Sequence, residues 1–149
     1  MKNDSNQYSA DEKAIRERVE EYAAAIRGKD LEKVMAIFAP DHISFDLEAP
    51  LQHMGAEAKR KNWTNVFAAY QYPLGYEIRD LTLVIENTLA VGRSLNRISG
   101  LLSNGRKTGY WVRWTTCFQK KGDTWFLIHD HVSVPLDVAT GKGVLNIEP

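Results

Sequence analysis

The side chains of this chain best suited to chemistry are one carboxylate, a phenol, a set of indoles and a pair of histidines. Asp46 lies in a stretch that alternates with period two, Ile43, Phe45 and Leu47 on one face and His42, Ser44 and Asp46 on the other. A carboxylate beside apolar neighbours has its proton affinity raised, as removal of a proton next to a carbonyl requires; a solvated acid at a strand end is the alternative. Tyr22 falls on the apolar stripe of a helical segment. There a buried phenol is either a preorganised hydrogen-bond donor or an aromatic core residue. Tyr110, Trp111, Trp114, Trp125 and Phe126 crowd two strand-like segments near the end of the chain. That density suits a pocket for a flat apolar ligand, an outward face buried against a second copy, or both.

His129 and His131 stand two apart on one face of the last strand, with Asp130 on the other, so the pair could bind a ligand or carry protons near neutral pH. A metal site would need a third ligand from His42, His53 or Asp46, and the spacing shows no such convergence, so no metal is expected. Arg93, Arg97 and Arg113 could recognise a carboxylate, but surface pairing is commoner, and the parity of Arg97 and Arg113 makes them interface candidates. GxGxxG, Walker, GxSxG and HExxH motifs are absent, so any enzyme here is expected to work without a cofactor.

The elements that must position these groups are legible from periodicity. Ser9 with Glu12 is a capping-box pattern, and Ile15, Val19, Tyr22, Ala23 and Ile26 predict a helix over residues 9–27, ended by Gly28. Asp30 caps a shorter helix with Leu31, Val34, Met35 and Phe38 inward, closed by Pro40. A strand over 42–47 follows, and then a third helix over 56–70. Long strands are predicted over 76–85, 89–101, 108–119 and 124–134, joined by turns at Asn87, Gly105 and Gly122. Strands of that length must bend, and Gly92, Gly100 and Gly109 are expected to supply the bulges. The order predicts an α+β fold, a strongly bent sheet packed on three N-terminal helices. One domain is expected, with its core over residues 9–135 and an irregular tail over 136–149.

Composition limits the partners. Nineteen basic residues balance nineteen acidic ones across 149 residues, which leaves no electrostatic footprint for nucleic acid or an anionic membrane. Cys117 is the single cysteine, read as a packed thiol in a reducing compartment. The first eight residues are polar and no apolar run is long enough to span a bilayer, so a cytoplasmic location is expected.

The segment Glu21-Tyr22-Ala23-Ala24-Ala25-Ile26-Arg27-Gly28-Lys29-Asp30-Leu31, followed by Phe38-Ala39-Pro40-Asp41, resembles the helical hairpin of SnoaL-like polyketide cyclases and ketosteroid isomerases. Trp125-Phe126-Leu127-Ile128-His129-Asp130-His131-Val132-Ser133 is similar to the closing strand of related domains and of the association domain of calcium/calmodulin-dependent kinase. The resemblance runs over residues 11–135 and implies a nuclear transport factor two-like, cystatin-like cone with a small-molecule pocket and frequent dimerisation, here a homodimer through the outer sheet face. It also implies Asp46 as general base and Tyr22 as donor to a developing oxyanion. Trp114 stands where the isomerases place a protonated acid, and an indole N–H donates but cannot shuttle a proton. A cofactor-independent isomerase or cyclase acting on an apolar carbonyl compound is the leading reading. A non-catalytic binding or oligomerisation module comes next, and an epoxide hydrolase-like Asp-Arg-Asp relay last.

Overall fold

The computed structural model describes residues 7–149; the start of the polar N-terminal stretch, residues 1–6, lies outside the described residues. Ser9 accepts a hydrogen bond from the Glu12 amide at 3.1 Å and opens α1 (Ala10–Arg27). The Glu12 carboxylate turns to Arg16 instead, at 3.0 Å, so the capping box is formed on one side only. Ile15, Val19, Tyr22, Ala23 and Ile26 are buried, as their spacing predicts, and the Gly28 amide closes the helix on the Ala24 carbonyl. Asp30 caps α2 (Leu31–Met35) through the Lys33 amide.

α2 stops before Phe38 because Pro40 disfavours helical backbone at Ala39. The chain passes directly into β1 (Phe38–Phe45), which therefore starts earlier than the alternation predicts. Pro40 is tolerated there because the register of β1 slips between Phe38 and Ile43. After β2 (His53–Met54) and α3 (Ala56–Ala69), four long strands follow: β3 (Gly75–Glu86), β4 (Leu89–Leu101), β5 (Lys107–Lys121) and β6 (Thr124–Ser133). They form a six-stranded sheet in the order β2-β1-β6-β5-β4-β3, with β1 and β6 parallel and the other pairs antiparallel. The fold is α+β, a mixed sheet packed against helices. Ile15, Ile26 and Val34 from the helices meet Phe118, Trp125 and Leu127 from the sheet in the core.

The bulges do not fall at the expected glycines. Gly92, Gly100 and Gly109 keep unbroken register with β5 and β4, and the sheet shifts instead between Arg79 and Thr82 and between Cys117 and Phe118. Gly92 and Gly109 make room: a Cβ would lie 2.5 Å from Thr116 Oγ1 at the first and 2.6 Å from the Arg97 guanidinium at the second. Opposite Cys117 and Phe118 the partners in β6 are His129 and Leu127, so Ile128 is the extra residue. Trp125 and Leu127 point inward before it and Asp130 after it.

The tail is not irregular throughout. β7 (Leu136–Asp137) pairs with β8 (Lys142–Gly143), and further on Glu148 Oε2 accepts from Trp111 Nε1 at 2.8 Å, anchoring the tail to β5. Among the described residues, no helix is long and apolar enough to cross a membrane. Phe118 is fully buried at the helix–sheet contact; Phe118→Ala is expected to cost about 3–5 kcal/mol in chemical denaturation, and a loss under about 1 kcal/mol would show that the core lies elsewhere.

Candidate functional site

Between the helices and the inner face of the sheet lies a cavity of about 110 Å³. α1 supplies Tyr22; α3 supplies Lys59, Asn62 and Trp63; β3 to β6 supply Tyr76, Asn96, Trp114 and Asp130; Asp46 enters from just beyond β1. A groove of about 260 Å³ adjoins it and shares Asp46, Leu47, Asn62, Val66 and Tyr110 with it. Apolar walls with a few convergent polar groups are the usual make-up of a ligand site.

Lys59 shapes the polar end. Lys59, Trp63 and Phe67 recur every four residues on the buried stripe of α3, which carries the lysine inward until it is 3% exposed. Its Nζ donates to Asp46 Oδ2 at 2.7 Å and to Ser44 Oγ at 3.1 Å, and lies 3.5 Å from Asp130 Oδ2. Asp130 also accepts from Trp114 Nε1 and pairs with His42 Nε2, both at 2.9 Å. His42 Nδ1 faces the Leu127 carbonyl at 3.2 Å, so both ring nitrogens face acceptors.

Burial alone would raise the Asp130 carboxyl, but the charge of Lys59 and the bond and charge of His42 outweigh it and hold the group well below the usual carboxylate range. For Lys59, burial favours loss of the proton, yet the charges of Asp130 and Asp46 push its pKa up. The two partners thus stabilise each other's ionised form. Asp46 is fixed further by the Leu47 amide, which donates to its Oδ1 at 2.8 Å.

Across the cavity stand two phenols. Burial raises the hydroxyl of Tyr22 well above its ordinary value, and the neighbouring Tyr76, Asp130 and Asp46 add to the effect. Burial likewise raises Tyr76, whose hydroxyl accepts from Asn96 Nδ2 at 2.8 Å. Both keep their protons at neutral pH and remain donors. Tyr22 stacks on Trp114 with centroids 5.5 Å apart and meets Trp63 edge-on at 5.9 Å.

Asp46, Tyr22 and Trp114 thus line one cavity, although the Trp114 N–H is taken by Asp130 and is not available as a second oxyanion donor. His129 and His131 do not join them, which corrects the expectation that they serve the site. The extra residue at Ile128 turns them to the outer face, where both rings meet Phe45 edge-on and His129 Nδ1 faces the Ile43 carbonyl at 2.7 Å. Lys59, Asp130 and Tyr76 were missed as site residues. Lys59 carried a signal, its four-residue spacing from Trp63, and Asp130 carried one in standing opposite the histidines. No group of three or more histidine, cysteine or acidic side chains able to hold a metal occurs among the described residues.

The profile of the SnoaL-like domain family matches residues 15–137. No curated protein sequence matches the chain. Among solved structures, a nuclear transport factor two-like protein of unknown function from Pseudomonas putida is similar, with 28% identity and a TM-score of 0.85 over 95% of this chain and 99% of that one. A ketosteroid isomerase-like protein from Erwinia carotovora shares 17% identity and a TM-score of 0.71 over 85% and 97% of the two chains. A protein of unknown function with a cystatin-like fold from Nostoc punctiforme shares 14% identity and a TM-score of 0.71 over 89% and 97%. The last two likenesses are of fold alone.

Two predictions come from the ion network. Lys59→Met is expected to cost about 3–5 kcal/mol in denaturant titration by leaving buried carboxylates unpaired; a neutral result would mean that the network is solvated. Because the Asp130 carboxyl is depressed in the folded state, its contribution to stability is complete above the unfolded value of about 3.9 and is lost as pH falls below it. Asp130→Asn is expected to flatten the fall in stability below about pH 4, and an unchanged acid slope would show that other groups cause it.

Proposed function

The chain belongs to the SnoaL-like domain family, and on that footing we propose that its cavity binds a small, largely apolar carbonyl compound and catalyses cofactor-independent proton transfer on it, as an isomerase or cyclase. The observation that carries the reading is that Asp46 and Tyr22 line the same small cavity. Asp46 takes a proton from the carbon next to the carbonyl, and the charge that develops on the carbonyl oxygen is met by the O–H of Tyr22, with Tyr76 behind it. In isomerisation Asp46 returns the proton to another carbon of the enolate. In cyclisation that carbon attacks a second carbonyl of the same molecule, and the proton passes to the new alkoxide.

Lys59 is a positioning residue in this scheme. Its ammonium is directed at Ser44, Asp46 and Asp130 rather than at a ligand, and it fixes the direction of the Asp46 carboxylate. A relay of the epoxide hydrolase kind is disfavoured because a lysine, not an arginine, joins the two acids. A non-catalytic binding module draws support from the engagement of both Asp46 oxygens by Lys59 and Leu47. In either reading the protein works in the cytoplasm as a homodimer through the outer sheet face, where Leu89 and Val91 stand half exposed.

The test is deuterium wash-in at the α-carbons of a small cyclic ketone in heavy water, followed by proton NMR. Asp46→Asn is expected to slow protein-catalysed exchange about 10²–10⁴-fold and Tyr22→Phe about 10²–10³-fold. Exchange at the wild-type rate in Asp46→Asn would leave the binding module as the surviving reading.

A further inference from the structure

The chain has four tryptophans. Three of their indole N–H groups are bonded to carboxylates: Trp111 to Glu148 at 2.8 Å, Trp114 to Asp130 at 2.9 Å and Trp125 to Asp11 at 3.2 Å. The fourth, Trp63, is 8% exposed on the cavity wall, and its Nε1 has no acceptor in bonding geometry among the described residues. An unpaired buried donor costs on the order of 1–3 kcal/mol, so buried polar groups without partners are uncommon. Lys59 and Phe67, one helical turn to either side, hold Trp63 on the inward stripe of α3.

We infer that Trp63 Nε1 is the ligand-recognition donor of the cavity and, together with the Tyr22 hydroxyl, selects a neutral carbonyl oxygen. The inference rests on the small-molecule reading of this cavity and names the atom and the charge type that it reads. Tyr22 and Tyr76 present their rings edge-on to Trp63, with centroids at 5.9 and 6.3 Å. The Tyr22 hydroxyl is a neighbour of the Trp63 N–H without forming a bond of good geometry to it. An acceptor placed between the two would satisfy both donors.

The charge type follows from what surrounds that point. Asp46 and Asp130 both act on the Tyr22 hydroxyl in the sense that opposes negative charge there, and Lys59 is turned to the carboxylates. A second anion, such as a ligand carboxylate, is disfavoured at the same place. Size sets a further bound. An apolar cavity of about 150 Å³ holds benzene, and this one offers about 110 Å³ with an adjoining groove. The carbonyl end of one ring enters the cavity, and the rest of the ligand lies toward the groove.

The experiment uses the full chain with ¹⁵N-labelled indoles, the four signals being assigned by single Trp→Phe variants. Cyclohexanone is titrated against methylenecyclohexane, which has the same shape with a CH₂ in place of the oxygen, and against cyclohexanecarboxylate. Cyclohexanone is expected to move the Trp63 indole proton downfield and leave the other three in place. Methylenecyclohexane is expected to bind without that shift, and the carboxylate to bind more weakly than the ketone. Trp63→Phe is expected to weaken cyclohexanone about tenfold and methylenecyclohexane much less. Equal binding of ketone and alkene with the Trp63 signal unmoved overturns the donor assignment while leaving the pocket intact; preferred binding of the carboxylate overturns the charge selection. Failure of all three to bind overturns the inference together with the ligand class. None of these outcomes depends on turnover, so loss of exchange in Asp46→Asn is judged separately.

Discussion

An ammonium group taken out of water must be surrounded by acceptors, and Lys59 meets that demand only where α3, β1 and β6 come together. Its three oxygen neighbours belong to Ser44, the residue just after β1 and Asp130 of β6. Desolvation of an unpaired ion costs several kcal/mol, so α3 cannot slide or rotate without losing the pairing. The same constraint fixes Trp63 and Phe67 on the inward stripe and keeps the helix at a set height above the sheet. The cavity is the space left beneath it.

That arrangement also explains an inversion in β1. Its apolar side chain Phe45 is turned outward and partly exposed, whereas His42 and Ser44 are fully buried. An alternating strand normally buries its apolar face. Here the polar face is the one with partners inside, because Asp130, Lys59 and the Leu127 carbonyl await it. A polar network that is satisfied throughout can occupy a core position that apolar residues would otherwise hold.

Much of this was readable in the sequence, and the failures have definite causes. Helical spacing located α1 and α3, and turn residues located the hairpins of the long strands, because local backbone preference and burial agree there. Asp46, Tyr22 and Trp114 were drawn to one cavity by alternation and by family likeness. Lys59 escaped notice because lysine on a helix is ordinarily solvated. α2 is shorter than the spacing of Phe38 predicts because Pro40 disfavours helical backbone at Ala39, the residue before it. Gly92 and Gly109 serve close cross-strand approach rather than bulges, and the shifts fall at Asp80, whose φ is 59°, and at Ile128, which no turn residue marks. Which side of β6 faced inward was therefore undetermined by counting.

The extra residue at Ile128 decides which of two chemistries β6 offers to the pocket. A strand has only two faces, and a shift of register by one residue exchanges them for everything that follows. With Ile128 present, the cavity receives a carboxylate at Asp130 and the outer face receives two imidazoles. Drawing Ile128 into a regular ladder, with no bulge, would offer His129 to the interior and carry Asp130 outside, leaving Lys59 one counter-ion short, whereas deleting it would leave both faces as they are. The same sequence thus carries a carboxylate-lined and a histidine-lined version of this wall, and whether one residue stays outside the ladder decides which of them the cavity receives.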